Sequence, residues 1–275
     1  MKKTARIIYD AYFNKYAIPQ FNINNLEWTK YILEECQMLK SPVILGVSQN
    51  AARYMGGYIT VRNLVDGLIK DLNITIPVVL HLDHGKSYEE AEKAINAKFD
   101  SVMIDVSDSD IEDNIKITNM VVKKAKNIVV ESEIGKIKNN SDIDKTDLDT
   151  VLLFDKKAKF DTLAPAIGNF HGLKKVEPQL DFDLLESIYK SCKKPLVLHG
   201  GTNISGDSLK KCITYGVAKI NFNTELQDAW AKAIKEFIKN NPNVIDPRKI
   251  IGSGEASIKE VVATKINILG SANRG

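Results

Sequence analysis

The chain has 275 residues, of which 44% are hydrophobic and 27% are charged, and its formal net charge is only +3. Basic and acidic residues are interleaved, which argues against a nucleic-acid-binding protein. No apolar run approaches the length of a membrane span, no signal-peptide segment follows the first residues, and the three cysteines are too widely spaced for a zinc knuckle or a disulfide framework. These features predict a cytoplasmic protein without nucleic-acid or membrane partners.

Eight short apolar segments alternate with helical patterns along the chain. The predicted strands cover residues 17–22, 42–48, 76–83, 101–105, 127–133, 162–167, 195–199 and 217–222. The predicted helices cover 26–39, 59–72, 87–97, 111–125, 148–154, 182–192, 206–215 and 224–238, and a further helix starts near 255. Ser87 opens a capping box at the start of its helix.

This alternation predicts one α/β domain over residues 1–275, a (β/α)8 TIM barrel with a C-terminal helical extension over about 246–275. A doubly wound open sheet is the alternative architecture. It seldom reaches eight regular units, and no Gly-x-Gly-x-x-Gly segment follows the first strand, so a dinucleotide-binding fold has no support.

Polar or ionisable residues stand at the end of every predicted strand. They are Asn22, Ser48, Asp83 with His84, Asp105, Glu133, Asn169 with His171 beyond it, His199, and Asn221 with Asn223. In a (β/α)8 barrel all eight carboxyl ends surround one opening, where the active site lies. One such residue could be a simple helix cap, but eight in register indicate a functional site.

Three of the four histidines, His84, His171 and His199, follow three different strands. Three imidazoles from separate strand ends are typical of a catalytic zinc site that keeps its fourth position open. We therefore predict that these three residues bind zinc. The fourth histidine, His81, precedes Asp83 by two residues on the same side of its strand, and we predict a supporting role for it inside the barrel.

Two glycines, Gly200 and Gly201, lie where the seventh strand meets its helix, and residues 221–224 lead into the last barrel helix. Backbone N–H groups can approach an anion closely at such positions. The loops after strands seven and eight form the usual phosphate pocket of this fold. Zinc beside a phosphate pocket predicts a sugar-phosphate substrate whose carbonyl the metal polarises.

The chain resembles the class II, metal-dependent fructose-bisphosphate aldolases almost from end to end. The matching segments are Ala-Ile-Pro-Gln-Phe-Asn-Ile-Asn-Asn (17–25), His-Leu-Asp-His-Gly (81–85), Ser-Val-Met-Ile-Asp (101–105), Glu-Ser-Glu-Ile-Gly (131–135), Leu-Ala-Pro-Ala-Ile-Gly-Asn-Phe-His-Gly (163–172), Leu-His-Gly-Gly-Thr (198–202), Lys-Ile-Asn-Phe-Asn-Thr (219–224) and Asp-Pro-Arg-Lys (246–249). The resemblance implies reversible cleavage of fructose 1,6-bisphosphate to dihydroxyacetone phosphate and glyceraldehyde 3-phosphate in glycolysis. It also implies zinc, with a monovalent cation as a further candidate cofactor, and a homodimer or homotetramer.

The resemblance implies roles for individual residues as well. Asp83 would be the catalytic proton donor and acceptor, with His84, His171 and His199 as zinc ligands. Asp105 and Glu133 would form an alternate metal position. The substrate would be bound by Ser48 at its aldehyde half and by Gly172, Gly200, Gly201, Thr202, Asn221, Phe222, Asn223 and Thr224 at its dihydroxyacetone phosphate half, with Asn22 in support.

The chain departs from the family pattern at three places. The family usually carries Gly-Gly-x-Glu on a mobile loop after strand five, where this chain has Lys-Ile-Lys-Asn-Asn-Ser at 136–141. Asp142, Asp144 or Asp147 could replace the missing glutamate. The usual Pro-Ala-Arg has become Ser-Gly-Glu at 253–255, which removes positive charge near a second phosphate or a neighbouring subunit, and Asn203 replaces a usual glycine.

Three alternatives to a fructose-bisphosphate aldolase remain at this point. The motifs do not separate it from a tagatose-bisphosphate aldolase, whose substrate is the C4 epimer, or from an aldolase for another ketose bisphosphate. Lys219 on strand eight could form a Schiff base with the substrate. The missing loop glutamate is also consistent with a relative that binds zinc and sugar phosphate without turnover.

Overall fold

The computed structural model describes residues 3–136, 145–173 and 176–275. Eight parallel strands pair in sequence order and close into a barrel. They are Ile18–Asn22 (β1), Val43–Ser48 (β2), Val78–Gly85 (β3), Ser101–Ile104 (β4), Val129–Ile134 (β5), Thr162–Pro165 (β6), Leu196–Leu198 (β7) and Val217–Phe222 (β8). Because β8 pairs with β1, the predicted (β/α)8 TIM barrel is confirmed and the open sheet is wrong.

Helices connect the strands and extend beyond the last of them. They are Lys3–Asn14 (α1), Leu26–Met38 (α2), Gln49–Tyr54 (α3), Tyr58–Asp71 (α4), Tyr88–Asn96 (α5), Ile111–Ala125 (α6), Leu148–Lys157 (α7), Phe182–Cys192 (α8), Gly206–Thr214 (α9), Thr224–Asn240 (α10), Pro247–Gly252 (α11) and Glu255–Leu269 (α12). Every predicted helix is present. The sequence patterns missed α1, α3 and α11.

Helix α1 packs against the amino-terminal part of the barrel. Its apolar residues Ala5, Ile8 and Ala11 are buried in one cluster with Ile18 of β1 and Val79 of β3. Removing this apolar surface from water stabilises the helix on the barrel. Helix α1 therefore covers the end of the barrel opposite to the carboxyl ends of the strands.

Polar caps start many of the helices directly after the loops at that end. Ser87 accepts a hydrogen bond from the Glu90 N–H, so one half of the predicted capping box is present. Asp110 and Ser205 cap α6 and α9 in the same way. Such caps satisfy orphan N–H groups and fix where each helix begins.

Helix α12 carries the predicted C-terminal extension back onto the barrel. It begins at Glu255, as the sequence predicts, and buries Ile258, Val262 and Ile266 in the main core. It packs against α2 and α10, whose residues Trp28 and Trp230 meet edge to face with 6.1 Å between ring centroids. No helix in the described ranges is both long and apolar enough to span a membrane.

Candidate active site

The carboxyl ends of the strands surround a cavity of about 310 Å³. Its lining residues are Asn22, Asn24, Ser48, Asp83, His84, His171, Gly172, His199, Gly200, Thr202, Asn221, Asn223 and Thr224. The structure thus brings most of the predicted site residues to one opening. Asp105 and Glu133 contact His84 without lining the cavity, and Gly201 and Phe222 are buried beside it.

Asp83 and His84 both face the cavity although they are neighbours on β3. In a regular strand, successive side chains point to opposite faces of the sheet. Here the pairing of β3 with β4 shifts register between Leu82 and Gly85, and His84 adopts the left-handed conformation with a φ of 54°. This irregularity re-aims one side chain, so that an acid and an imidazole serve the same opening.

The three predicted zinc-binding histidines converge. Nε2 of His84 lies 2.9 Å from Nδ1 of His199, and the ring of His171 is 5.1 Å from that of His84 between centroids. One nitrogen from each ring lies within 4.8 Å of the others. Burial, together with the other two rings, lowers the pKa of His171 to about 3, so this imidazole is neutral, the form that binds metals.

A second set of potential metal donors lies on the other side of the His84 ring. Its Nδ1 is 2.6 Å from Oδ2 of Asp105 and 3.7 Å from Oε2 of Glu133. The Ser107 hydroxyl bridges the remaining oxygens, 2.8 Å from Asp105 Oδ1 and 3.0 Å from Glu133 Oε1. Within the described ranges Glu133 Oε2 accepts no hydrogen bond. The residues of the predicted alternate metal position are therefore together, with one acceptor free.

Opposing effects set the protonation of His84, Glu133 and Asp105 in the metal-free chain. Burial alone would lower the pKa of His84, but the Asp83 carboxylate and the hydrogen bond with Asp105 outweigh it and raise the pKa to about 9. Burial raises the pKa of Glu133 to about 8, although the charge on His84 opposes it. For Asp105, burial would raise the pKa, but the hydrogen bond with His84 holds it well below its usual range.

Asp83 is a buried carboxylate held by two amides. Its Oδ2 accepts a hydrogen bond of 2.7 Å from Asn22 Nδ2, and its Oδ1 accepts one of 3.2 Å from Asn221 Nδ2. Burial would raise the pKa of Asp83, but nearby positive charge, chiefly on His84, holds it below its usual range. A charged carboxylate of fixed orientation beside the histidines suits proton transfer on a bound substrate.

The sequence patterns missed Glu131 as a site residue. Its Oε1 lies 2.9 Å from Nε2 of His199, and its Oε2 accepts a 2.6 Å hydrogen bond from Lys219 Nζ. Burial would raise its pKa, but the charge on Lys219 and the hydrogen bond with His199, together with the two nearby histidines, lower it. The sequence could have indicated Glu131, because it stands two residues before Glu133 on β5, and residues two apart in a strand share one face.

Lys219 and His81 complete a polar layer inside the barrel. Lys219 is 1% exposed, is paired with Glu131 and does not line the cavity, so its amine is unsuited to attack a substrate carbonyl. This geometry removes the structural support for a Schiff base. His81 is buried, and its Nδ1 lies 2.6 Å from Ser101 Oγ. His81 therefore lies inside the barrel as predicted, and its supporting role stays a prediction.

The loops after β6, β7 and β8 pack tightly against one another. Gly200 has a φ of +69°, and a Cβ added there would lie 2.1 Å from the carbonyl oxygen of Phe170. A Cβ at Gly201 would lie 2.7 Å from the Phe222 ring, so this glycine permits packing beside the cavity. The unusual Asn203 donates a 2.5 Å hydrogen bond to the Gly172 carbonyl and ties two of these loops together.

The N-terminus of α10 lies at the wall of the same cavity. Asn223, the N-cap residue, makes no side-chain capping hydrogen bond, and both Asn223 and Thr224 line the cavity. Uncapped N–H groups at a helix N-terminus attract anions. This end of the cavity therefore fits the predicted phosphate.

The other two sequence departures concern the missing loop glutamate and residues 253–255. Of the candidates for the missing loop glutamate, Asp142 and Asp144 lie outside the described residues, whereas Asp147 caps α7 by accepting from Thr150 N at 2.8 Å. Glu255, which stands where the family carries arginine, forms an ion pair with Lys259 in the first turns of α12. Asp147 is thus engaged in holding a helix end.

Comparison with known proteins agrees with this geometry. The family model for class-II fructose-bisphosphate aldolase matches residues 2–274. The chain is 49% identical to the fructose-bisphosphate aldolase of Staphylococcus epidermidis, over 98% of this chain and 96% of that one. It is 47% identical to the enzyme of Geobacillus stearothermophilus, over 96% and 95%.

Solved structures of aldolases share the fold of this chain. The YdjI aldolase from Escherichia coli K12 is 30% identical with a TM-score of 0.86, covering 99% of this chain and 98% of that one. The fructose-bisphosphate aldolase from Campylobacter jejuni, 24% identical, shares the fold with a TM-score of 0.87, covering 99% and 95%. The protein is an aldolase, a carbon–carbon lyase. It belongs to the class II fructose-bisphosphate aldolase family.

Proposed function

We propose that this aldolase reversibly cleaves fructose 1,6-bisphosphate to dihydroxyacetone phosphate and glyceraldehyde 3-phosphate, as a step of glycolysis. The observation that carries the proposal is the convergence of His84, His171 and His199 around one point beside the Asp83 carboxylate. The curated relatives at 47–49% identity are named for fructose bisphosphate, which favours this substrate over its C4 epimer, tagatose bisphosphate.

The three histidines suit zinc as the metal. Zinc favours nitrogen donors in a tetrahedral arrangement, and three imidazoles leave the fourth position open for substrate. When bound, the ion polarises the substrate carbonyl and stabilises the negative charge that develops during cleavage. The donor atoms of Asp105 and Glu133, two oxygens beside one nitrogen of His84, support assigning these residues to an alternate metal position.

Asp83 is the residue we assign to proton transfer. It would take the proton of the substrate hydroxyl next to the breaking bond and return it in the reverse direction. Asn22 and Asn221 orient the carboxylate through their amide groups, and both also line the cavity. Each therefore serves as a positioning residue in addition to any contact with substrate.

The two halves of the substrate would lie at different ends of the cavity. The dihydroxyacetone phosphate half would bind at the loops after β6, β7 and β8, through Gly172, Gly200, Thr202, Asn221, Asn223 and Thr224, with Gly201 and Phe222 as support. Ser48 would contact the aldehyde half. Its Oγ accepts a 3.1 Å hydrogen bond from Ala51 N, which leaves the hydroxyl proton free to donate to substrate.

The family resemblance supports three further assignments. We assign a cytoplasmic location, a homodimer or homotetramer with the chain beyond residue 246 as a contact surface, and a monovalent cation as a second cofactor. Analytical ultracentrifugation measures the oligomeric state directly. Dependence of activity on potassium or sodium concentration at constant ionic strength measures the last.

One assay tests the proposed activity. Zinc-loaded protein is given fructose 1,6-bisphosphate and tagatose 1,6-bisphosphate in separate reactions, each repeated with a chelator and after zinc is restored. We expect cleavage of the fructose epimer, loss of cleavage with chelator and recovery with zinc. Zinc-loaded protein that cleaves neither epimer would refute the enzyme assignment in favour of a binding protein, and chelator-resistant cleavage trapped by borohydride on Lys219 would refute the metal mechanism.

A further inference from the structure

The side chain of Lys86 places a positive charge at the alternate metal position formed by Asp105 and Glu133. It lies in the turn between β3 and α5, directly before the N-cap residue Ser87. Its Nζ is 2.5 Å from Oδ2 of Asp105, and this is the same oxygen that lies 2.6 Å from His84 Nδ1. The position between the carboxylates and the solvent is thus already taken by an ammonium group.

The carboxylates that Lys86 faces are unusual in their burial. Asp105 and Glu133 are each 2% exposed, and each has one oxygen tied to the Ser107 hydroxyl. The second oxygen of Glu133 accepts no hydrogen bond from the described residues. When His84 binds a metal it is neutral, and the buried Asp105 carboxylate then needs another compensating cation, because burying uncompensated charge is costly.

The two nitrogens of His84 serve two different donor sets. Nε2 faces His199, on the side of the three histidines, and Nδ1 faces Asp105. One ion at each side of this ring would put two divalent cations next to one imidazole. The number of divalent ions that the chain binds therefore depends on which cation balances the charge of Asp105.

We propose that Lys86 acts as a tethered cation that balances the Asp105 carboxylate and thereby restricts the chain to one divalent ion, at the three histidines. This inference rests on the proposed function, because it takes the histidines as the metal position. A divalent ion entering the carboxylate side must displace the ammonium group or bear its repulsion at contact distance. Because the Lys86 side chain is 51% exposed, the displaced group can reach solvent.

Binding of a second metal by the zinc-loaded protein tests the inference. One equivalent of zinc is bound first, Mn²⁺ is then added as a hard, oxygen-preferring probe, and free Mn²⁺ is measured by electron paramagnetic resonance. We expect Lys86→Met to bind one equivalent of Mn²⁺, and wild type to bind Mn²⁺ about ten-fold or more weakly than this variant. Lys86→Arg keeps the charge and should behave as wild type.

Two controls locate the effect. Lys93→Met removes an exposed lysine on α5 that pairs with Glu90, and it should leave Mn²⁺ binding unchanged. The double variant Lys86→Met with Asp105→Asn should lose the gained Mn²⁺. Equal Mn²⁺ binding by wild type and Lys86→Met, with zinc in place, would overturn this inference alone. Failure of the wild-type chain to bind the first zinc would overturn the proposed function and this inference together.

Discussion

Nε2 of His199 lies 2.9 Å from the Glu131 carboxylate, while Nδ1 of the same ring lies 2.9 Å from His84 Nε2. The hydrogen bond therefore places the proton of neutral His199 on Nε2 and leaves the Nδ1 lone pair directed at the other histidines. A carboxylate in this position fixes both the tautomer and the orientation of a metal-binding imidazole.

Replacing Glu131 with glutamine should weaken zinc binding. The substitution keeps the shape but removes the charge that selects the tautomer of His199, and loss of such a partner costs about 10–100-fold in metal affinity. Competition with a chromogenic chelator measures the zinc Kd. Glu35→Gln, at a buried glutamate of α2, is the matched control and should leave the Kd unchanged. Equal zinc affinity of Glu131→Gln and wild type would contradict this reading.

The buried pair of Glu131 and Lys219 should show strong coupling in stability. Removing one partner leaves the other as an uncompensated buried charge, at a cost of about 3–5 kcal/mol. The double variant Glu131→Gln with Lys219→Met should lose less free energy of unfolding than the sum of the two single variants. Denaturant unfolding with chelator present measures this without a contribution from metal. Additive losses would show that the two charges do not depend on each other.

Asp83→Asn should abolish turnover and leave the metal in place. Asparagine has one acceptor oxygen, so it keeps the hydrogen bond from only one of the two neighbouring amides unless the other amide turns over. It cannot accept the substrate proton, so we expect kcat to fall by about 10²–10⁴-fold. Zinc content should stay near that of wild type, since no histidine changes. Asp71→Asn, at the exposed end of α4, is the control for loss of a charge. Loss of zinc in parallel with activity would assign Asp83 to metal binding instead.

Gly200→Ala should be more damaging than Gly172→Ala. Both glycines have a positive φ, which costs an alanine about 1–2 kcal/mol. At Gly172 nothing lies within 4 Å of the added Cβ, whereas at Gly200 the Phe170 carbonyl oxygen would lie 2.1 Å away. The larger loss of unfolding free energy, with a raised KM, is therefore expected for Gly200→Ala. Equal losses would mean that the Phe170 loop yields without cost.

The metal-free protein should lose stability as the pH rises from about 6.5 to 9. The folded-state pKa of His84 is raised to about 9, so its contribution is complete below the unfolded pKa and disappears as pH rises through 9. Glu133, raised to about 8, acts in the same direction, because the folded chain holds a proton that the unfolded chain releases. Denaturant unfolding in chelator at pH 6.5, 7.5 and 8.5 measures the slope.

The variant Glu133→Gln isolates one of these two contributions. Glutamine stays neutral, so the decline in stability between pH 6.5 and 8 should be shallower than in the wild-type protein. His84 still titrates in the variant, so a decline toward pH 9 remains. An unchanged slope between pH 6.5 and 8 would show that Glu133 has its ordinary acidity in the folded chain.

The amino-acid sequence by itself determined the architecture and the centre of the site. Eight apolar runs separated by helical patterns suffice for a closed parallel barrel, because each period of two or 3.6 residues is a local property of the chain. The barrel rule then brings the strand ends together, which is why Asp83, His84, His171 and His199 could be named in advance. These four residues are also those with the most distinctive chemistry in the family motifs.

Tertiary structure alone decided how those residues are held. The register shift that turns both Asp83 and His84 into the cavity depends on pairing with β4, which no local pattern records. The contact of Glu131 with His199 joins residues 68 positions apart, and that of Lys86 with Asp105 joins the loop after β3 to the residue that follows β4. Polar side chains inside a barrel choose their partners only when the barrel closes, because burial then makes each unpaired group costly.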